Sequence, residues 1–292
     1  MLSLAPIRYR TVFAEHGGPV AQVQAGKFSV FDAERYQALA FLKPELAENK
    51  PQNILYGAAD GSGSSSNPSV AQHIAISEAL ERWAFLETHR SGGNKYGFNV
   101  DHCSNGMAAF PGFRWQARRR AKFEALERFA VIGWWDKRLN ATVHRSPYPG
   151  VGLVRIEHLQ NKGEVVILYH KAANGAVAYA HAAGSSLASA TAKAAVELVR
   201  TELVIARHRA CGALAPVTDY FERRCLHFAS PEGHAEFLER LHSRTEKPAP
   251  RWNVIFDGEI PGPWSQWATV WRHCVEMPTY AFLDRKQNFF FW

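Results

Sequence analysis

Two segments of the chain spell almost the same phrase: Glu78-Ala79-Leu80-Glu81-Arg82-Trp83 recurs as Glu124-Ala125-Leu126-Glu127-Arg128-Phe129. Each lies in a stretch without Gly or Pro, rich in helix formers, with apolar residues three and four apart. On a helix, positions i and i+3 share a face, so each phrase sets two carboxylates side by side with an arginine next to them. Four carboxylates repel one another unless a cation lies between them, and clustered carboxylate oxygens are what Mg²⁺ prefers. Two such helices facing each other would make a bed for Mg²⁺ and a phosphate chain. The repeat points to nucleotide chemistry.

A single Glu-x-x-Glu-Arg is common on exposed helices, where the charges form a solvated face. Two copies in an apolar context are a different matter. Ile74, Ile76, Leu80, Trp83 and Phe85 surround the first, and Phe123, Leu126, Phe129, Val131 and Ile132 the second. Both helices are therefore expected to be largely buried, where a carboxylate needs a partner or a metal.

At 292 residues, 47% hydrophobic and 12% aromatic, the chain can bury a substantial core. No apolar run approaches the ~20 residues of a membrane span, and the first residues lack the basic and apolar regions of a signal peptide, so a cytoplasmic protein without membrane association is expected. Cys103, Cys211, Cys225 and Cys274 are scattered without a Cys-x-x-Cys pair, which argues against both a disulfide framework and a zinc site. The formal charge of +7 favours an anionic partner. Nucleic acid is not expected: Arg118-Arg119-Arg120 stands without any nucleic-acid motif, and a helix face of arginines is usually solvated.

Along the chain, residues 7–13 and 28–31 read as β-like runs and 34–42 as a helix. Residues 57–66 form a Gly/Ser loop opening into a helix from about Pro68, with Asn67 as its cap. The loop is neither a Walker nor a Gly-x-Gly-x-x-Gly sequence. A loop-rich stretch over 92–112 precedes the second Glu-Arg helix over 115–134. Runs 151–156 and 164–170, separated by Asn161-Lys162-Gly163, predict a hairpin, with a further strand over 177–182. Helices are expected over 188–206 and 231–244, and a strand over 252–256. The aromatic ending Phe289-Phe290-Phe291-Trp292 reads as a segment docked on the core or lining a groove. Strands and helices without regular alternation favour an α/β sandwich over a doubly wound sheet.

Three segments, in order and spacing, resemble the YcaO-domain family. Residues 57–85 are similar to its Gly-rich loop and first Glu-x-x-Glu-Arg helix. Ser104-Asn105-Gly106-Met107-Ala108 through Trp134-Trp135 resembles its Ser-Asn-Gly-Leu-Ala loop, second Glu-x-x-Glu-Arg helix and Trp pair. Residues 184–200 are similar to its helix with a basic residue four before a glutamate, here Lys193 and Glu197. The resemblance implies a single YcaO-type α/β sandwich of mixed sheets, with flanking helices bearing the Glu-x-x-Glu-Arg motifs. It would comprise an N-terminal segment (1–56), a nucleotide-binding core (57–210) and a C-terminal portion (211–292).

It further implies ATP and Mg²⁺, with Glu78, Glu81, Glu124, Glu127 and Glu197 as metal ligands. Arg82, Asn105 and Lys193 would join them around the nucleotide, and Glu127, Arg128 and Lys193 would be catalytic. Without the resemblance, Lys193 and Glu197 read as an ordinary i,i+4 helix pair. The family activates a peptide backbone amide: a nucleophile adds to the carbonyl, ATP phosphorylates the oxyanion, and phosphate leaves. The implied reaction is cyclodehydration of Cys, Ser or Thr to azolines (thiazole and oxazole precursors) in a ribosomally made peptide. Thioamide or amidine formation, amide hydrolysis and a non-catalytic partner-binding scaffold are the alternatives. The chain departs from the family in ending on Phe-Phe-Phe-Trp rather than a Pro-rich tail, and in Ala-Phe-Pro-Gly-Phe at 109–113, where small polar residues are usual. With no recognisable domain for holding a leader peptide, the precursor peptide is expected to be delivered by a separate leader-binding or E1-like partner, in an oligomer or heterocomplex.

Overall fold

The computed structural model describes residues 3–48, 54–90, 105–157, 163–211 and 217–292. In chain order its elements are α1 (Ala5–Arg8), β1 (Val20–Val30), β2 (Ala33–Leu42), β3 (Gly61–Ser65), α2 (Pro68–Arg90), β4 (Gly106–Phe110), α3 (Arg114–Trp135), β5 (Ala141–His144), β6 (Val151–Ile156), β7 (Glu164–Lys171), β8 (Val177–Gly184), α4 (Leu187–Ala210), α5 (Tyr220–Phe228), α6 (Pro231–His242), β9 (Val254–Glu259) and β10 (Thr269–Val275). They make three antiparallel sheets, ordered β1-β2-β3, β4-β10-β9 and β5-β6-β7-β8. The chain divides into two units, one of Met1–Pro51, Ala58–Ala125 and Val254–Val275, the other of Gln52–Gly57, Leu126–Asn253 and Glu276–Trp292. The division falls within α3, so residues 114–125 belong to the first unit and 126–135 to the second.

In the first unit, α2 packs on β2 and β3. Its buried alanines, Ala71, Ala75, Ala79 and Ala84, meet Ala38, Ala40 and Leu42 of the sheet, and Trp83 sets its ring edge-on to Trp264 at 5.6 Å. Asn67 caps α2 as expected, its Oδ1 accepting the Val70 N–H at 3.2 Å. Residues 34–42 are a strand, not the expected helix. Ala38, Ala40 and Leu42 are buried while their neighbours are less so, a period of two, and pairing with β1 and β3 on both sides overrides the helix propensity of the segment. Residues 7–13 are likewise not a strand. They hold the end of α1 and turns, with one bridge from Phe13 to Val20. Part of the Gly/Ser loop is β3, because Gly61 and Gly63 let its backbone lie against α2 where any Cβ would strike the helix.

Asp257, on β9, is a half-buried anchor of this unit. Burial raises its pKa, but hydrogen bonds from Arg118 Nε (2.9 Å) and Trp271 Nε1 (2.7 Å), with His273 Nδ1 3.1 Å away, outweigh that and hold it well below the usual carboxylate range. A depressed carboxylate stabilises the fold above its unfolded pKa, near 3.8, and loses that contribution as pH falls below it. Asp257→Asn is therefore expected to cost about 1–3 kcal/mol at pH 7 and to flatten the acid limb of a urea-denaturation series. An unchanged acid limb would refute this.

In the second unit the predicted hairpin is present as β6 and β7, extended by β5 and β8 into a meander. Its turn residues Asn161 and Lys162 lie outside the described residues. Helix α4 packs on β7 and β8 and starts at a capping box of Ser186 and Ser189. Trp134, Tyr179, Phe228, Phe237 and Phe290 form a fully buried aromatic cluster in which Phe290 meets Trp134, Tyr179 and Phe228 edge to face and Phe237 at a tilt. The aromatic ending is thus docked in the core: Phe289, Phe290 and Phe291 are all buried. Buried Arg240 donates from Nε to the Trp134 carbonyl at 2.6 Å and from Nη2 to the Leu139 carbonyl at 3.0 Å, closing the C-terminus of α3. Cys211, Cys225 and Cys274 are free thiols, and Cys103 lies outside the described residues. Among the described residues no helix is long and apolar enough to cross a membrane.

Candidate functional site

In the first unit, the strand contact made by the first glutamate of each phrase occurs twice. A glycine begins a strand, and the next residue's amide donates to the first glutamate of the phrase: Ser62 N–H to Glu78 at 2.9 Å, and Met107 N–H to Glu124 at 2.8 Å. The glycines make this approach possible. A Cβ on Gly61 would stand 2.2 Å from the Ala75 carbonyl oxygen and 2.4 Å from the Ala79 nitrogen. On Gly106 it would stand 1.8 Å from the Ala121 oxygen and 2.6 Å from the Ala125 nitrogen. The repeat is therefore longer than Glu-Ala-Leu-Glu-Arg. Ala71, Ala75, Ala79 and Ala84 correspond to Ala117, Ala121, Ala125 and Ala130, all buried. This spacing is present in the sequence as a signal of two equivalent strand-to-helix contacts.

Glu81 sits among charges of its own sign. Burial pushes its carboxyl well above the usual range, and the negative charges of Glu124 and Glu78 push it further. Arg82 and the Ala109 N–H, 3.3 Å from Oε2, pull the other way. Arg120 adds a positive charge near Glu81, with its guanidinium 4.7 Å from the Phe110 ring centroid. Arg118, Arg119 and Arg120 are all exposed, and within the run Arg118 pairs with Asp257 while Arg120 feels the charge of Glu81.

Glu127, in the second unit, uses both oxygens. Oε1 lies 2.8 Å from His181 Nδ1, and Oε2 accepts the Ala183 N–H at 3.0 Å. Lys193 Nζ donates to the carbonyl of the same residue, Ala183, at 2.9 Å. His181 was not legible as a site residue, because a lone histidine in an apolar strand carries no spacing signal.

Three solved structures share this architecture. Two are the Escherichia coli microcin synthetase McbBCD complex, one with pro-MccB17 bound. They align at TM-scores of 0.56 and 0.55 and 10% and 11% identity, in each case over 87% of this chain and 87% of theirs. The third is YcaO from Methanopyrus kandleri bound with AMPPCP and Mg²⁺, at TM-score 0.53 and 14% identity over 96% of this chain and 91% of that one. The chain has the YcaO fold. No family model matches the sequence, and no curated protein does.

Within this YcaO fold the other expected site residues take the following places. Asn105 is fully buried, and its Oδ1 accepts the Val275 N–H at 2.8 Å, latching the start of β4 to the end of β10. Glu197 is exposed and pairs with Arg200 at 2.8 Å, an i,i+3 pair on α4. Arg82 is exposed and Arg128 half-buried. Ser104 lies outside the described residues. Among the described residues no three His, Cys, Asp or Glu side chains are gathered closely enough to hold a metal ion as they stand. Glu78, Glu81 and Glu124 each turn an oxygen to a strand amide, an arrangement natural to carboxylates that repel one another. The donor set itself is all oxygen and anionic, which fits Mg²⁺ and not a soft metal.

Proposed function

We propose that the chain is an ATP- and Mg²⁺-dependent subunit that activates peptide backbone amides, with cyclodehydration of Cys, Ser or Thr to azolines as its reaction. The observation that carries this reading is Glu81 held against Glu78 and Glu124: a half-buried set of mutually repelling carboxylates marks a place where a ligand of opposite charge would be used. Glu78, Glu81 and Glu124, with Glu127 and Glu197, are the proposed Mg²⁺ and phosphate ligands, and their strand-amide bonds fix the carboxylates in place. Arg82 and Arg120 bring positive charge to Glu81, and Arg128 is assigned the same role beside Glu127. Lys193 and His181 fix the Ala183 peptide and the Glu127 carboxylate, and so position Glu127. Mg²⁺ bound by such carboxylates supplies neutralisation of phosphate charge. The microcin synthetase complex, named for its assembly and seen with pro-MccB17, supports a heterocomplex acting on a precursor peptide. The Methanopyrus protein with AMPPCP and Mg²⁺ supports the cofactors.

The test is calorimetry of ATP on the full chain, with and without Mg²⁺, for wild type and Glu127→Gln. Expected are Mg²⁺-dependent binding to the wild type and at least roughly tenfold weaker binding to the variant, the loss of one charged contact. Mg²⁺-independent binding, or equal affinity in the variant, would overturn the assignment. With a cognate peptide and partner, loss of one water per modified residue identifies the azoline product.

A further inference from the structure

A half-open pocket of about 390 Å³ lies in the second unit, between α5 and residues 285–288. Four of its lining residues are cations, Arg223, Arg224, Arg285 and Lys286, and the others are Tyr220, Gln287 and Asn288. Among the described residues no carboxylate lines it. None of these residues belongs to the set proposed for Mg²⁺ and ATP.

Arg224 is the centre of the argument. It is only 2% exposed, yet it forms no ion pair with a described carboxylate. Three of its five N–H groups go to carbonyls: Nε to Gln287 at 3.2 Å, Nη1 to Phe291 at 3.4 Å and Nη2 to Asp284 at 2.9 Å. One N–H on each terminal nitrogen remains. Burial pushes its pKa down, the response of a cation short of compensating charge. Asp284 and Asp219 offset part of this through space without an ion pair to it, and these carboxylates bond backbone amides. Asp219 caps α5 through the Phe221 and Glu222 N–H groups, Asp284 accepts the Lys286 N–H, and Glu222 accepts those of Ile54 and Leu55. Arg223, Arg285 and Lys286 are exposed, and their side chains make no ion pair with a described carboxylate. The guanidiniums of Arg224 and Arg285 stand 5.0 and 5.5 Å from the Tyr220 ring centroid, so this ring holds the cations in place rather than offering a face to a nucleobase.

Four positive charges, many donors and no acceptor carboxylate suit a compact ligand with several anionic oxygens. A monocarboxylate would balance one charge of the four. An acidic peptide would bring backbone N–H groups that find no acceptor side chain except the two amides. Arginine forks match phosphate oxygens, with Gln287 and Asn288 as neutral donors. We infer that this pocket binds a phosphoryl anion, orthophosphate or pyrophosphate, and that it does so without a metal. This stands apart from the Mg²⁺-ATP reading.

The test is titration of the full chain with sodium pyrophosphate and, separately, orthophosphate, in the absence of divalent metal. Wild type is compared with Arg223→Ala/Arg285→Ala, whose exposed positions leave the core intact, with Arg285→Lys, and with Glu81→Gln. Expected are saturable binding of at least one anion to wild type, loss of about tenfold or more in the double variant, a smaller loss in Arg285→Lys, and no change in Glu81→Gln. Which anion binds tighter identifies its source as free phosphate or a polyphosphate. Three outcomes overturn the proposal: no binding of either anion, equal affinity in the double variant, or loss in Glu81→Gln instead. Binding of an oligoglutamate probe with no binding of either phosphate also overturns it.

Discussion

Glu81→Gln is expected to move stability and ligand binding in opposite directions. Removing the charge relieves the repulsion from Glu124 and Glu78, and the glutamine oxygen still accepts the Ala109 N–H. The metal-free protein should therefore melt a few degrees higher than wild type. The same change removes a central anionic oxygen from the proposed Mg²⁺ ligands, and Mg²⁺-dependent ATP affinity should fall on the order of a hundredfold, roughly 2.7 kcal/mol. Differential scanning fluorimetry in chelator, followed by calorimetry with Mg²⁺-ATP, reads both. A lower melting temperature would mean that the charge supports the fold, and unchanged affinity would mean that Glu81 is no metal ligand. Either result breaks the argument from crowded carboxylates.

Gly106→Ala is expected to be the most damaging single methyl in the first unit. The added Cβ would meet two backbone atoms of α3 at 1.8 and 2.6 Å, and backbone cannot rotate away as a side-chain tip can. Relief requires β4 to lift from the helix, which breaks the Met107 N–H to Glu124 bond and the Ala109 N–H to Glu81 bond with it. A loss of about 3 kcal/mol or more in urea denaturation is expected, the upper end for overpacking. Gly26→Ala, where a Cβ meets nothing within 4 Å, is the control and should fall within about 0.5 kcal/mol of wild type. Equal behaviour of the two variants would show that the strand-to-helix approach is looser than it looks. Because Gly106 touches no proposed ligand directly, any loss of Mg²⁺-ATP binding in a folded Gly106→Ala protein would report the amide anchors rather than chemistry.

The long helices were legible because their signals are local. α2, α3 and α4 lie within a few residues of where helix-forming composition, apolar spacing, Pro68 and Asn67 place them. The β6-β7 hairpin was legible for the same reason, in β-branched runs on either side of a turn. Residues 34–42 misled because alanine, glutamate and leucine favour a helix when nothing pairs with them, whereas here β1 and β3 pair on both sides. Strand β10, central in the β4-β10-β9 sheet, and helix α5 carried too weak a period to stand out. In the site, the paired carboxylates were read directly from the repeat. His181 and Arg120 were not, because neither sits in a motif, and each matters through one neighbour brought to it by the fold.

Local order along the chain was enough to put two glutamates on one face of each motif helix and to place alanines at every helix-to-strand contact. A helix's period relates residues three and four apart, and nothing more distant. What each carboxylate bonds lies far beyond that range: the amides are 16 residues from Glu78, 17 from Glu124, 28 from Glu81 and 56 from Glu127. Those partners exist only after strands have packed against helices. The same packing leaves Arg224 buried among carbonyls without an ion pair to a described carboxylate, an arrangement that no spacing along the chain encodes.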